Sequence, residues 1–249
     1  VILGEKVLEE VGTGQAHQAA TWLPPAQCLL EIGCSAGYLT HLFLGKAKRI
    51  VGFDINFPAL RLARHRNTSI PIVCGDVERL PFPDSSFDAI VMLEVIEHTG
   101  SDAAAVGEIR RVLKPGGTLV LSTPNAGMFA FLDPYNVRKA MQRRLSLFYG
   151  LAARLVRFES SQFTDNLERH RHYRLEELTH LLEQNFTIRA VHRGGLLLYP
   201  LTAASISVAA RLWNNPRVLR WLFRLLNWDF QCRFGSLSYN LMILAERKR

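Results

Sequence analysis

The first half of this chain alternates short apolar runs with amphipathic stretches, and that rhythm constrains its fold more than any other feature. "CLLEIG", "RIVGFDI", "IPIVCGD", "FDAIVMLEV" and "TLVLSTP" are too short for helices and are bounded by turn formers, so they read as strands. Residues 36–45, 58–66 and 102–113 between them carry helical spacing, and an amphipathic helix at 5–20 precedes the first strand and stops before Pro24-Pro25. Strands apolar on both faces need cover on both sides, which predicts a doubly wound, mostly parallel α/β sheet. After Pro124-Asn125 the rhythm breaks. A basic, half-apolar helix is expected over 134–158 and an amphipathic helix over 174–186. "FTIRAVH" reads as a strand, 194–213 as an apolar, proline-interrupted stretch, 216–228 as a short helix and "SYNLMILAER" as the last strand. The expected architecture is a single structural domain with seven strands. Residues 1–125 form its core, 126–186 a helical cap, and 187–249 the last two strands with an insertion at 194–235.

A chain of 249 residues fits one large α/β domain, and 48% apolar content supplies a core and argues against global disorder. It holds no clean apolar run of about 18 or more residues, so no ordinary transmembrane helix is expected. The chain begins at Val1 rather than Met, so the lack of a leader carries no weight. Four scattered cysteines without a CxxC pair argue against a disulfide framework or zinc knuckle and for a reducing cytoplasm. The net charge of +8 is uneven. Residues 1–125 hold 11 Lys+Arg against 13 Asp+Glu, and residues 126–249 hold 19 against 9. The second half is either an ordinary solvated surface or one that faces something anionic.

The first strand runs into "LEIGCSAGYL", Leu30 to Leu39. In a doubly wound sheet this turn lies where ligands bind. A pyrophosphate cradle needs G-x-G-x-x-G. Gly33 and Ser35 take the first two positions, but Leu39-Thr40 offers no third glycine, and Glu31 would repel phosphate. An acid there welcomes a cation. "EIGCSAG" resembles the first motif of class I S-adenosylmethionine-dependent methyltransferases, whose cofactor carries an ammonium, a sulfonium and no phosphate. The resemblance implies that Gly33, Cys34, Ser35 and Gly37 wrap the methionine part of the cofactor, with Glu31 beneath. Asp54 stands 23 residues after Glu31, at the end of the second strand. There it is expected to accept the ribose hydroxyls; a plain helix N-cap for 58–66 is the alternative. "CGDVERLPFPDSSFDAIV" is similar to the family's next block, where Asp76 faces the adenine amino group and the Val77 backbone meets the ring. "LKPGGTLVLSTPN" resembles the turn into the fifth strand. Ile55 and Glu94 complete the expected cofactor set. The family implies a Rossmann-like methyltransferase fold, S-adenosylmethionine as cofactor and S-adenosylhomocysteine as product.

A sulfonium is already a good leaving group, so alignment of the nucleophile is the main task, and a hydroxyl nucleophile also needs something to accept its proton. "EVIEH", residues 94–98, closes the fourth strand beside the expected cofactor. His98 is the expected base or orienting group, with Glu97 and His172 as further catalytic candidates. The pentad is similar to one in ubiquinone-pathway O-methyltransferases and small-RNA 2′-O-methyltransferases. By that resemblance a divalent metal on Glu94, Glu97 and His98, with His170 or His172 as fourth ligand, is a less favoured alternative.

The cap should decide the acceptor. In 216–228, Leu219, Leu222, Phe223 and Leu226 form one stripe, with Arg217, Arg220, Trp221, Arg224 and Trp228 on the other side. In 134–158, Val137, Met141, Leu145, Phe148, Ala152 and Leu155 share a face flanked by arginines and Lys139. Both helices suit either ordinary core packing or an anionic membrane surface. The expected activity is O-methylation of a hydrophobic or lipid-linked small molecule: a quinone precursor, a polyketide or a lipid-linked sugar. An RNA methyltransferase would explain the charge, but its arginines sit among leucines and no RNA-binding module is recognisable, so nucleic acid is not the expected partner. A non-catalytic binding protein is opposed by intact Glu31, Asp54, Asp76 and the turn glycines. Apolar faces of this kind would suit a homodimer as well as a membrane, and the expected location is the cytoplasm or the inner face of the membrane.

Overall fold

A computed structural model of the chain describes residues 3–66, 68–127, 130, 171–196 and 215–249. The helix expected at 134–158, most of the apolar stretch at 194–213, and His170 lie outside the described residues.

Two helices, α1 (Leu3–Val11) and α2 (Gly14–Trp22), open the described chain where one was expected over 5–20. The break has a local cause. Gly12 adopts a left-handed φ of 68° that ends α1. Thr13 then caps α2, its hydroxyl accepting the Ala16 N–H at 3.2 Å. The strand β1 (Ala26–Ile32) leads into the glycine turn. The helix expected over 36–45 is only a short 3-10 segment, Thr40–Phe43. Gly37, at φ 73°, occupies what would be its first turn, and β2 (Ala47–Asp54) begins soon after. Then follow α3 (Phe57–Arg66), β3 (Ile72–Cys74), β4 (Phe87–Leu93), α4 (Asp102–Val112) and β5 (Leu113–Pro124). Later in the chain come α5 (Leu175–Glu183), β6 (Phe186–Gly194), α6 (Pro216–Gln231) and β7 (Asn240–Arg247). α6 runs three residues past its expected end. It opens on Pro216, with the Asn215 side chain accepting the Arg217 N–H at 2.9 Å.

All seven strands join one sheet in the order β3-β2-β1-β4-β5-β7-β6. β1 pairs in parallel with both β2 and β4, whereas β7 runs antiparallel to β5 and β6. The chain therefore leaves β1 in one direction along the sheet and later returns to its other side, so a crevice opens at the carboxyl end of β1. Successive residues of the central strands feed opposite layers. Leu30, Ile90, Leu119 and Leu121 pack with Val106 and Ile109 of α4 and Leu178 and Leu182 of α5. Leu29, Val91 and Val120 pack with Ala16 and Ala19 of α2 and Phe230 of α6.

Leu119 has no exposed surface and sits in a central strand. Leu119→Ala is expected to cost about 3 kcal/mol of folding stability in urea titrations. A loss near zero would mean that the layer on α4 and α5 repacks freely.

Candidate functional site

A cleft of about 690 Å³ opens at the carboxyl ends of the central strands. Its floor is the turn after β1. Gly33 has φ 81°, and a Cβ there would meet Val95 Cγ2 at 2.3 Å, so both its conformation and its surroundings require glycine. The turn is fastened to the end of β2. The Gly33 and Cys34 N–H groups donate to Phe53 O at 2.7 and 3.2 Å, and the Ser35 N–H donates to the Asp54 carboxylate at 2.8 Å. Ser35 itself has a left-handed φ of 48°, a conformation of modest cost for a side-chain-bearing residue. The other Asp54 oxygen accepts the Asn56 N–H at 2.8 Å, which fixes the carboxylate beside Ile55.

Of the expected cofactor residues, Gly33, Ser35, Asp54, Ile55, Asp76, Val77 and Glu94 line this cleft, and so does His98. Gly37 does not line it, and neither does Cys34. Its thiol is buried against Gly52, with burial and the charges of Glu31 and Asp54 holding it strongly protonated. Glu31 lies beneath the turn, buried, with Oε2 lacking a hydrogen-bond partner. Burial pushes its carboxyl up to about 7 from an ordinary 4.5. A Thr40 hydrogen bond opposes that shift, and the Asp54 charge adds to it.

The turn after β4 is shaped by β5. Glu94, also left-handed at φ 55°, donates its N–H to Ser122 O at 3.1 Å and accepts the Ser122 hydroxyl at 2.7 Å. Glu97 does not line the cleft. It is buried and accepts the Thr123 hydroxyl at 3.1 Å. His98 ends the 3-10 turn Ile96–His98 and faces the cleft. His172 is not part of the lining. Its ring stands edge-on to Tyr239 at 6.2 Å. Among the described residues no three His, Cys, Asp or Glu side chains gather as a metal site would require.

Several positioning residues were not singled out from the sequence. Ser122 and Thr123 orient the two glutamates, and their only sequence signal is a polar pair inside an apolar strand. Tyr173 is almost fully buried and donates its hydroxyl to Ile96 O at 3.2 Å, while its backbone bonds to Pro124 and Ala126. The segment before α5 is thereby fixed to the turn bearing His98. Glu78 accepts the Gly100 and Ser101 N–H groups at 2.6 and 3.0 Å and holds the far rim. Arg66 lies 4.0 Å over the Tyr38 ring and pairs with Glu9 at 2.7 Å, which ties α3 to α1, whose Glu5 reaches the cleft. No local pattern marks these long-range pairs.

The cleft's chemistry follows from its charge. Glu5, Asp54, Asp76, Glu78 and Glu94 line it, and no lysine or arginine does so among the described residues. Such a lining disfavours a pyrophosphate and suits a cation with hydroxyl and amine donors. S-adenosylmethionine fits on those grounds, and the partnerless buried oxygen of Glu31 adds a compensating charge below the turn.

An acid whose pKa is raised on folding stabilises the fold fully below its unfolded pKa, and that contribution is lost as pH rises through the folded pKa. For Glu31 the window runs from about 4.5 to about 7, and the loss is on the order of 3 kcal/mol. Glu31→Gln is therefore expected to raise the melting temperature of the ligand-free protein at pH 8, with the gain fading toward pH 4.5. An equal effect at both pH values would contradict a strained carboxylate.

Residues 30–121 match the family model described as a methyltransferase domain. The malonyl-[acyl-carrier protein] O-methyltransferase of Serratia marcescens is 32% identical over 125 residues, 50% of this chain and 45% of that protein. The demethylmenaquinone methyltransferase of Corynebacterium kroppenstedtii is 35% identical over 120 residues, 47% of this chain and 52% of that protein. The ubiquinone biosynthesis O-methyltransferase of a Bradyrhizobium strain is 36% identical over 107 residues, 41% of this chain and 42% of that protein. Each match thus spans about half of either chain. A solved structure of an S-adenosylmethionine-dependent methyltransferase from Methanosarcina mazei has the same fold, with a TM-score of 0.57 at 20% identity over 93% of this chain and 97% of that one. Strand order, acidic cleft and matched segment agree: residues 30–121 are similar to a methyltransferase domain, set in the fold of S-adenosylmethionine-dependent methyltransferases.

Proposed function

We propose that the chain transfers the methyl group of S-adenosylmethionine to an oxygen atom of a hydrophobic or lipid-linked small molecule. The observation that carries this reading is the cleft at the end of β1, lined by five carboxylates and no basic side chain among the described residues. When bound, S-adenosylmethionine supplies a methyl group on a sulfonium, a leaving group that needs no activation.

The chain's own residues then have to bind, orient and manage one proton. Asp54, already fixed by two backbone N–H groups, is positioned to accept ribose hydroxyls. Asp76, held by the Glu78 N–H at 2.9 Å, takes the adenine amino group, and Ile55, Leu62 and Val77 give apolar surface for the ring. Glu31 favours an ammonium close to the turn. His98 faces the same cleft from the end of β4, and an imidazole is the side chain suited to take a hydroxyl proton near neutral pH.

An oxygen acceptor is supported by this histidine and by two relatives named as O-methyltransferases, one of them of ubiquinone biosynthesis. RNA is disfavoured because its phosphates would have to approach a carboxylate-lined cleft.

Methyl-tritiated S-adenosylmethionine incubated with the protein and a cell extract should label organic-soluble material, and label recovered in RNA or protein would overturn the acceptor class. Asp54→Ala should weaken cofactor binding by at least about tenfold, and unchanged affinity would remove Asp54 from the site. His98→Ala should leave cofactor affinity unchanged while slowing transfer by about a hundredfold; an equal loss of affinity would make it a binding residue. Cofactor affinity should also fall as pH drops below 7, because an ammonium prefers ionised Glu31. Glu31→Gln should flatten that dependence in calorimetry, and persistence of the slope would assign it elsewhere.

A further inference from the structure

We propose that the outer face of α6 docks on an anionic phospholipid bilayer, a role separate from methyl transfer. Besides its last residue, Gln231, the exposed positions within α6 are Arg217, Trp221, Arg224 and Trp228. Their spacing of four, three and four residues puts them on one line along the helix. The opposite face is buried through Leu219, Phe223, Leu226 and Phe230; Leu219 and Phe223 pack with Val7 of α1, and Phe230 packs on the sheet. The helix is thus firmly seated, and its outer stripe is free of that packing. A merely solvated face would carry Glu, Lys or Gln along its length, whereas α6 has only the terminal Gln231. Here each tryptophan is 61% exposed, and half-buried Val218 and Leu225 extend the apolar edge next to Trp221.

Charge selects the partner. Arg220, beside the stripe, is neutralised by Glu10 at 2.8 Å. Arg217 and Arg224 have no acidic partner among the described residues. The helix's one acid, Asp229, is turned inward and accepts the Leu196 N–H at 2.9 Å. The stripe is therefore cationic and aromatic with no exposed acid. Tryptophan settles at the boundary between headgroups and acyl chains, and arginine reaches the lipid phosphates from the same depth. No helix among the described residues is long and apolar enough to cross a membrane, so this contact lies in the plane of the surface.

The test is co-sedimentation of the full chain with phosphatidylcholine vesicles, with and without phosphatidylglycerol, supported by tryptophan emission. Binding to the anionic vesicles with a blue shift is expected, and little binding to the neutral ones. Arg217→Glu with Arg224→Glu, and separately Trp221→Ala with Trp228→Ala, should each weaken it by at least about tenfold. Cofactor affinity and circular dichroism should not change, since all four side chains lie outside the cleft and the core. No binding by the unaltered chain, or binding that survives both double variants, would overturn the proposal. So would a dimer in light scattering that only the tryptophan variant dissociates, because a second copy would then cover the face. Tight binding to single-stranded RNA, lost in the arginine variant while vesicle binding is absent, would assign the stripe to nucleic acid instead.

Discussion

The hydrogen bond from the Ser35 N–H to the Asp54 carboxylate, 2.8 Å long, joins the end of β1 to the end of β2 and fixes the ground on which the rest of the site stands. It holds a turn in which Gly33, Ser35 and Gly37 all have left-handed backbones. It also anchors the carboxylate proposed to meet the cofactor's ribose. One side chain thus braces the protein and faces the ligand. The parallel sheet makes this brace available because it places the ends of neighbouring strands side by side where the chain reverses its direction of travel.

A second brace mirrors it across the crevice. Ser122 and Thr123, consecutive on β5, hold Glu94 and Glu97 through their hydroxyls. Glu94 pays in backbone strain for a place in the cleft, whereas Glu97 is drawn into the interior. The pairing explains why two acids so close in sequence differ in environment. It also gives Glu97 a role in supporting the His98 turn, with Tyr173, just before α5, gripping the same turn. The burial of Glu31 under the turn is the opposite case, a carboxylate held where folding alone would not put it, which points to a ligand charge as its partner.

Much of this was legible in the sequence because parallel strands declare themselves by short, uniformly apolar runs. All seven strands and their grouping into a core and two late strands follow from that pattern, as does the glycine turn. Local chemistry was harder to read. The break at Gly12-Thr13 was hidden inside an amphipathic pattern that continues across it, and the helix expected after Gly37 was lost to a backbone conformation that periodicity does not register. Of the site, the residues on the strand ends were accessible through motif spacing. Ser122, Thr123, Tyr173 and the Arg66 strap were not, because each acts through a partner far away in the chain. His172 was expected as a catalytic candidate, but its ring stands against Tyr239.

The central claim is that the crevice takes a cationic, phosphate-free nucleoside cofactor because carboxylates line it. Calorimetric competition at pH 8 tests it most directly, with S-adenosylmethionine, S-adenosylhomocysteine, NAD and ATP titrated into the full chain. The account predicts that the first two bind and exclude one another, while NAD and ATP neither bind nor compete. Binding of NAD or ATP that displaces S-adenosylmethionine, or no binding of S-adenosylmethionine at all, would contradict it.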